Sequence, residues 1–396
     1  MLKSAVDLGY KGALSAIIDS NVTTLVIAII LYIGGTGPVR GFATTLGIGI
    51  LTSLFTAIFL SRMIITARLE KGSGMSFWTG WSKNILADTN FDFMGKRKLM
   101  YLVSGVLIAI GVFSMVTRGF NWGVDFSGGR TYVVKFQDEV NVENVRQSLL
   151  PRFETEEGGR STVNVKTYGG SRQLKVTTNF LYTSTEASAD SIVDLRLTEG
   201  LEGFGDYEVI ESRKVDATIS DDIKTSAWTS VTLAMVFMFI YIAVRFRRWQ
   251  FGLGGMLALI HDVLIVLGIY SIFHGRLPFS MEIDEAFIAA ILTVVGYSIN
   301  DSVVVFDRIR EYLMDHKRDD TVTVFNKAMN ATLSRTLQTS LTTLLVLLII
   351  FIFGGVAIQG FVFALLVGIL VGTYSSIFVA SAFVVDLMKG ARDKNI

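Results

Sequence analysis

Over most of this chain apolar residues do not alternate with polar ones but run on. Eight stretches, 21–37, 41–61, 99–117, 227–244, 251–273, 286–306, 336–353 and 360–385, stay apolar for about the length a helix needs to cross a bilayer. Between the third and fourth stretches the period changes. Residues 129–136 alternate as a strand, and 142–150 carry helical spacing. Residues 162–167 and 173–178 read as a hairpin across Gly169-Gly170, 187–201 as a second helix and 207–217 as a last strand. The order β-α-β-β-α-β predicts a ferredoxin-like domain between two spans. The expected fold is a polytopic α-helical membrane protein of about eight transmembrane helices, carrying one α+β domain outside the bilayer.

Composition sharpens this reading. The hydrophobic fraction is 51% and the charged fraction 18%, against about 25% charge in soluble domains, so charge is missing where a bilayer excludes it. Cysteine is absent, which excludes a disulfide framework, a thiolate metal site and a cysteine nucleophile. His261, His274 and His316 share no ligand spacing. No Walker loop, metal cluster or Ser-His-Asp arrangement occurs, so no cofactor is expected, nor an enzymatic role. A net charge of +1 gives no reason to expect a nucleic-acid partner.

Lysine and arginine set the orientation. One set of loops holds 21 of them, the opposite short loops hold only Arg40 and Arg276, and 13 lie in the long segment 118–225. The positive loops are predicted to face the cytoplasm and the folded domain the periplasm. The domain plan is 1–62, two spans; 63–98, a cytoplasmic connector; 99–117, a span; 118–226, the outer domain; 227–388, five spans; and 389–396, a tail. In the connector, Phe77, Trp78 and Trp81 follow the polar run Lys71-Gly72-Ser73-Gly74 and suit a headgroup zone, or simple loop anchoring.

An internal repeat is legible. Residues 14–59 match 333–378 at a constant offset of 319 without gaps, including Thr23-Thr24 with Thr342-Thr343, Gly35 with Gly354, and Gly41-Phe42 with Gly360-Phe361. Both copies cross inward to outward and return, a parallel repeat of the kind that transporters use around a site at the repeat interface. Whatever pairs with 286–319 would precede Met1, so the chain reads as starting partway through its first repeat.

Ionisable groups within the spans are His261, Asp262 and Asp301, and such groups are functional candidates by default. Asp301 lies six residues before Asp307, or ~9 Å along a helix, toward the cytoplasmic side. Gly296, Ser298 and Ser302 permit close helix approach. Arg335 enters the seventh span among Ser334, Thr336, Thr339 and Ser340, and its repeat counterpart is Ala16. An apolar surrounding favours the neutral acid and a nearby cation favours the carboxylate. Asp301 and Arg335, with Asn300 and Thr339, are therefore the expected proton pathway; a helix-to-helix hydrogen bond is the plainer role for Asp301. His261-Asp262 reads equally as a structural pair or a relay. The run Asp125-Phe126-Ser127-Gly128-Gly129 reads as a strand-entry turn.

Two segments carry a family resemblance. Gly123-Val124-Asp125-Phe126-Ser127-Gly128-Gly129 resembles the SecF motif after its first span, and 296–311 (GYSINDSVVVFDRIRE) resembles the long SecF signature. Residues 91–396 are similar to a whole SecF. Residues 1–62 resemble the last two spans of SecD, through Asp19-Ser20-Asn21-Val22-Thr23-Thr24-Leu25 and 35–42. The resemblance is to the SecDF export family of the resistance-nodulation-division superfamily. It implies an inner-membrane accessory of the bacterial Sec machinery that uses the proton gradient to help draw preproteins outward. It also implies SecYEG and the preprotein as partners, with the remaining SecD portion supplied in cis or in trans. In that pattern Asp301 matches the proton-pathway aspartate and Arg335 a pathway arginine. The competing readings are a proton-coupled small-molecule exporter, for which one small outer domain is too little, and an uncoupled scaffold that holds emerging polypeptide.

Overall fold

The computed structural model describes residues 2–35, 37–71, 89–153, 163–170, 172–182, 184, 188–277 and 279–392. Most of the connector, with its Gly72, Phe77, Trp78 and Trp81, lies outside the described residues. Among the described residues eight helical stretches are long and apolar enough to cross a membrane, as expected. They are α1 (Leu2–Gly34), α2 (Gly37–Phe55) continued through a π-helical turn into α3 (Ser61–Glu70), α4 (Arg97–Arg118), α8 (Ala217–Phe246), α9 (Trp249–Phe273), α10 (Glu285–Asp315), α11 (Thr321–Phe353), and α12 (Val356–Ser375) continued through a second π-helical turn into α13 (Ser381–Arg392).

Several helices outrun their apolar stretches, because polar caps hold the extra turns. The Asp284 carboxylate accepts from Phe287 N at 2.8 Å to start α10, and Asp320 accepts from Thr323 N at 3.2 Å to start α11. The repeat survives in three dimensions. Both ends of α11 lie 319 residues after those of α1, and each copy's second helix breaks at a π-helical turn, Thr56–Leu60 and Ser376–Ala380. Phe42 and its repeat mate Phe361 meet edge-on at 5.4 Å, so the two copies touch each other at matching positions.

Span α10 is the central post. Gly296 faces Ile27 and Thr24 of α1, where an added Cβ would come within 3.4 and 3.7 Å of them. On its other side Gly368 and Gly372 of α12 admit Val294 and Ser298; a Cβ at Gly368 would stand 2.2 Å from Val294 Cγ2. Small residues here let backbones approach, the dominant source of helix affinity in lipid.

The domain between α4 and α8 comprises α5 (Val124–Ser127), β1 (Gly129–Phe136), α6 (Val142–Leu149), β2 (Val163–Gly170), β3 (Gln173–Thr178), α7 (Ser188–Leu201) and β4 (Tyr207–Val215). Its antiparallel sheet runs β2-β3-β1-β4, the order that the β-α-β-β-α-β sequence predicts. Helices α6 and α7 cover one face, burying Val134, Val145, Leu149, Leu174, Val176, Val193 and Leu201 completely. Strands β1 and β3 are the two interior ones. The free edges belong to β2 and β4, and Ile210 of β4 is half exposed.

Candidate functional site

The site grows from α10. At 3.6 residues per turn, Ser298 and Asp301 fall on one face of that helix, and both are buried against α12, α9 and α11. Ser340 of α11 donates to Asp301 Oδ2 at 3.2 Å, and Thr373 of α12 donates to Ser340 Oγ at 2.7 Å. Among the described residues no cation lies within 4.0 Å of Asp301. Ser340 and Thr373 also line an apolar groove of about 670 Å³ between α11 and α12, walled by Leu337, Leu341, Leu370 and Phe378. A buried carboxylate held by one hydroxyl donor is an unusual thing to keep, because an unpaired charge in such a place costs on the order of several kcal/mol relative to water.

Arg335 is exposed, five residues before Ser340 toward the end remote from the sheet domain, and forms no ion pair with Asp301 here. It faces a polar recess of about 250 Å³ lined with Asp19, Asp307, Arg308, Glu311 and Thr332. The Thr339 hydroxyl is spent on its own helix, donating to Arg335 O and Thr336 O at 3.1 and 2.9 Å. Asn300 is half-buried, with its Oδ1 lacking a hydrogen-bond partner among the described residues. Thus the structure brings Ser340 to Asp301, with Thr373 behind it, and leaves Arg335, Asn300 and Thr339 without a hydrogen bond or ion pair to that carboxylate.

His261 and Asp262 are both buried and form the second polar cluster. His261 Nδ1 lies 2.9 Å from Asp262 Oδ1, and its Nε2 lies 3.0 Å from Ser104 Oγ, which in turn meets Tyr374 OH at 3.0 Å. Ser298 and Ser375 donate to Asp262 Oδ2 at 2.6 and 2.8 Å. One network therefore ties α4, α9, α10 and α12 together one turn from Asp301. Replacing Asp262 by Ala strands three buried partners, which should cost about 2–5 kcal/mol. Thermal unfolding in detergent is the measure; an unchanged midpoint would show the network to be dispensable for folding.

The run 123–129 is more than a turn into β1. Gly123 N donates to Ile283 O at 2.9 Å, and Ile283 N donates to Asn121 O at 2.8 Å, so the segment pairs with the strand-like approach to α10. Asp125 is buried; its Oδ2 accepts from Glu285 N at 3.1 Å, and Arg213 of β4 lies 2.9 Å from its Oδ1. Phe126 packs with Trp122, Tyr270, Ile283 and Phe287. Gly128 and Gly129 have φ of +68° and +129°, and a Cβ at Gly129 would sit 2.5 Å from Thr178 O. Only glycine meets both demands.

Charge is concentrated at this joint. Lys175 of β3 pairs with Glu282 at 2.6 Å; burial works against its charge, but the Glu282 carboxylate lifts its pKa. Asp284 is pushed up to about 6, first by burial and then by the Asp125 and Glu282 charges, which together outweigh the Phe287 N–H bond and Lys175. The folded state therefore holds this proton more tightly than the unfolded chain, and stability falls as pH rises from the ordinary value of 3.8 through about 6. Asn keeps the capping bond without the charge. Asp284→Asn should raise the unfolding midpoint above pH 6 or so, with the gain gone near the ordinary aspartate pKa; a gain that did not vary with pH would contradict this.

Comparison with known proteins bears on these residues. Residues 197–390 match the family described as Protein export membrane protein SecD/SecF, C-terminal, and 113–140 match the SecD/SecF GG Motif. Protein translocase subunit SecF of Rhodothermus marinus is 45% identical over 306 residues, covering 76% of this chain and 95% of the relative. The chain belongs to the SecD/SecF family. Protein translocase subunit SecDF of Thermus thermophilus is 35% identical over 387 residues, 97% of this chain and 49% of that protein. A crystal structure of SecDF from Thermus, described as a translocon-associated membrane protein, superposes with a TM-score of 0.83 at 34% identity, over 98% of this chain and 50% of that one. The chain thus spans about half the length of the SecDF relatives it matches. Within the SecD/SecF frame, 113–140 is the joint just described, and Asp301, Ser340 and Thr373 lie in the C-terminal match.

Sequence reading missed the hydroxyl donors Ser104, Ser298, Ser340, Thr373 and Ser375 as site residues, since serine in a span is ordinary. Asp19 lies just before the first apolar run, yet α1 carries it inside a helix, where it pairs with Arg245 at 2.6 Å and accepts from Tyr241 OH at 3.0 Å. The signal was available. A helix begun at Leu2 makes Asp19 one of its interior residues.

Proposed function

We propose that this chain is part of an accessory component of the bacterial Sec protein translocase, driven by the proton gradient, that assists late steps of preprotein export. Family membership supports the accessory role, since SecF and SecDF relatives are named protein translocase subunits. The observation that carries the proton step is Asp301, buried with Ser340 as its donor, beside a groove and with Arg335 waiting on the next helix. In this reading protonated Asp301 sits in its apolar seat. As Arg335 approaches, the ion pair favours the carboxylate, the proton leaves, and the helices shift. Each charge moved through the field contributes about 2.3 kcal/mol per 100 mV.

The same reading places the chain in the inner membrane with the sheet domain in the periplasm, following the arginine and lysine bias. It assigns residues 1–62 to a SecD-like half, 63–98 to a connector, 99–117 to the first SecF-like span, 118–226 to the outer domain, 227–388 to five further spans and 389–396 to a tail. SecYEG, the preprotein and the rest of SecD are the partners. An extended preprotein could add to the free β4 edge, where Val209 and Ile210 are exposed, using backbone hydrogen bonds that tolerate any sequence.

The test uses vesicles that contain the chain, its SecD portion and the channel, with a preprotein stalled after ATP is removed. Forward movement should continue with a proton gradient and stop when a protonophore collapses it. Movement indifferent to the gradient would leave only a passive scaffold. A photocrosslinker at Val209 or Ile210 should capture the preprotein with a yield that changes when the gradient collapses; no capture at either position, with normal export, removes the edge contact.

A further inference from the structure

We propose that Asp125 is the positioning residue that couples the sheet domain to the proton-carrying helix, so that displacement of α10 is delivered to the outer domain through the joint at 121–129. This rests on the proton reading above and names its mechanical output, and no role is otherwise attached to the glycine motif.

The argument is one of attachments. The Asp125 carboxylate joins the two bodies at α10 itself: it accepts from the first backbone N–H of that helix at Glu285 and faces Arg213 in β4. A carboxylate at a helix N-terminus is favoured by the unsatisfied N–H groups and by the helix dipole. Arg213 stands opposite Thr131 in the β1–β4 register, so its tie reaches the body of the sheet and not a loop. The backbone pairing of Gly123 and Asn121 with Ile283 prevents the contact from sliding, and a Cβ at Gly123 would sit 2.9 Å from Asp284 Cβ. Lys175 and Glu282 add a second tie from β3 to the same approach segment. Behind these contacts, α10 runs without interruption from Glu285 through Ser298 and Asp301 to Asp315. A rotation or shift of α10 at Asp301 therefore reaches Glu285 undiminished, and Asp125 passes it to the sheet. The covalent links through α4 and α8 alone would permit rocking of the domain but would not dictate its phase.

The absence of cysteine makes the test direct, because introduced cysteines carry the only spin labels. One label pair, at Glu202 and Phe353, spans the sheet domain and the outer end of α11; the other, at Met314 and Trp249, reports on the far end of α10 against α9. Both pairs are measured by pulsed electron–electron resonance on the full chain in lipid nanodiscs, at acidic and mildly alkaline pH. In the parent both distances shift with pH, and Asp301→Asn abolishes both shifts. In Asp125→Ala the Met314–Trp249 shift persists while the Glu202–Phe353 shift is lost. Asp125→Asn, which retains the cap on α10 and loses the charge facing Arg213, keeps a reduced domain shift and guards against simple misfolding of the alanine variant. A domain shift of parental size in Asp125→Ala overturns the coupling. So does a parent in which only the intramembrane pair responds. If neither pair responds in the parent, it is the proton reading itself that fails.

Discussion

Export driven by the proton gradient should fall in Asp301→Asn to the level seen with the gradient collapsed, while insertion and expression stay normal. Asparagine keeps the size of the side chain and can still accept from Ser340, whose bond to Asp301 Oδ2 is 3.2 Å long. It cannot bind and release a proton. Packing around the residue would be unchanged, so a folding defect is not expected to confuse the outcome. The measurement compares preprotein release from vesicles carrying parent and variant at matched amounts. Continued export at the parental rate would show that Asp301 is only a helix-to-helix hydrogen bond.

The second large effect belongs to Arg335. Because it is exposed and forms no ion pair with Asp301 in this structure, Arg335→Ala should change thermal stability by no more than ~0.5 kcal/mol, the range of ordinary surface substitutions. Its effect on export should nonetheless be large, since the role proposed for it lies in a state where it reaches the carboxylate. Arg335→Lys should retain part of the function if charge alone matters, and fail with alanine if a two-pronged contact is needed. A parental export rate in the alanine variant would reduce Arg335 to an anchor under the positive-inside rule, with its recess of Asp307 and Glu311 serving to hold it. Loss of stability in the same variant would instead point to a structural pairing.

Asp301 stood out because a carboxylate among valines has no cheap explanation in lipid, and α10 does bury it. The repeat stood out because glycine and threonine positions kept one register, and the ends of α1 and α11 keep the same offset. Thr339 stands near Arg335 in sequence, but a hydroxyl in a helix can satisfy itself on the preceding turn, and in this structure it does. Ser340, the next residue, projects to the other face and finds the carboxylate.

Apolar run length and strand alternation determined by themselves the number of spans, the ferredoxin-like order and the charged groups worth asking about, because each rests on a local period that solvent or lipid imposes directly. The tertiary structure alone decided which hydroxyl serves Asp301, and that Asp125 grips α10 across 160 residues of sequence. Those facts depend on which helix faces meet, and in lipid that choice is made by close packing at small residues such as Gly296, Gly368 and Gly372, whose partners lie far away along the chain.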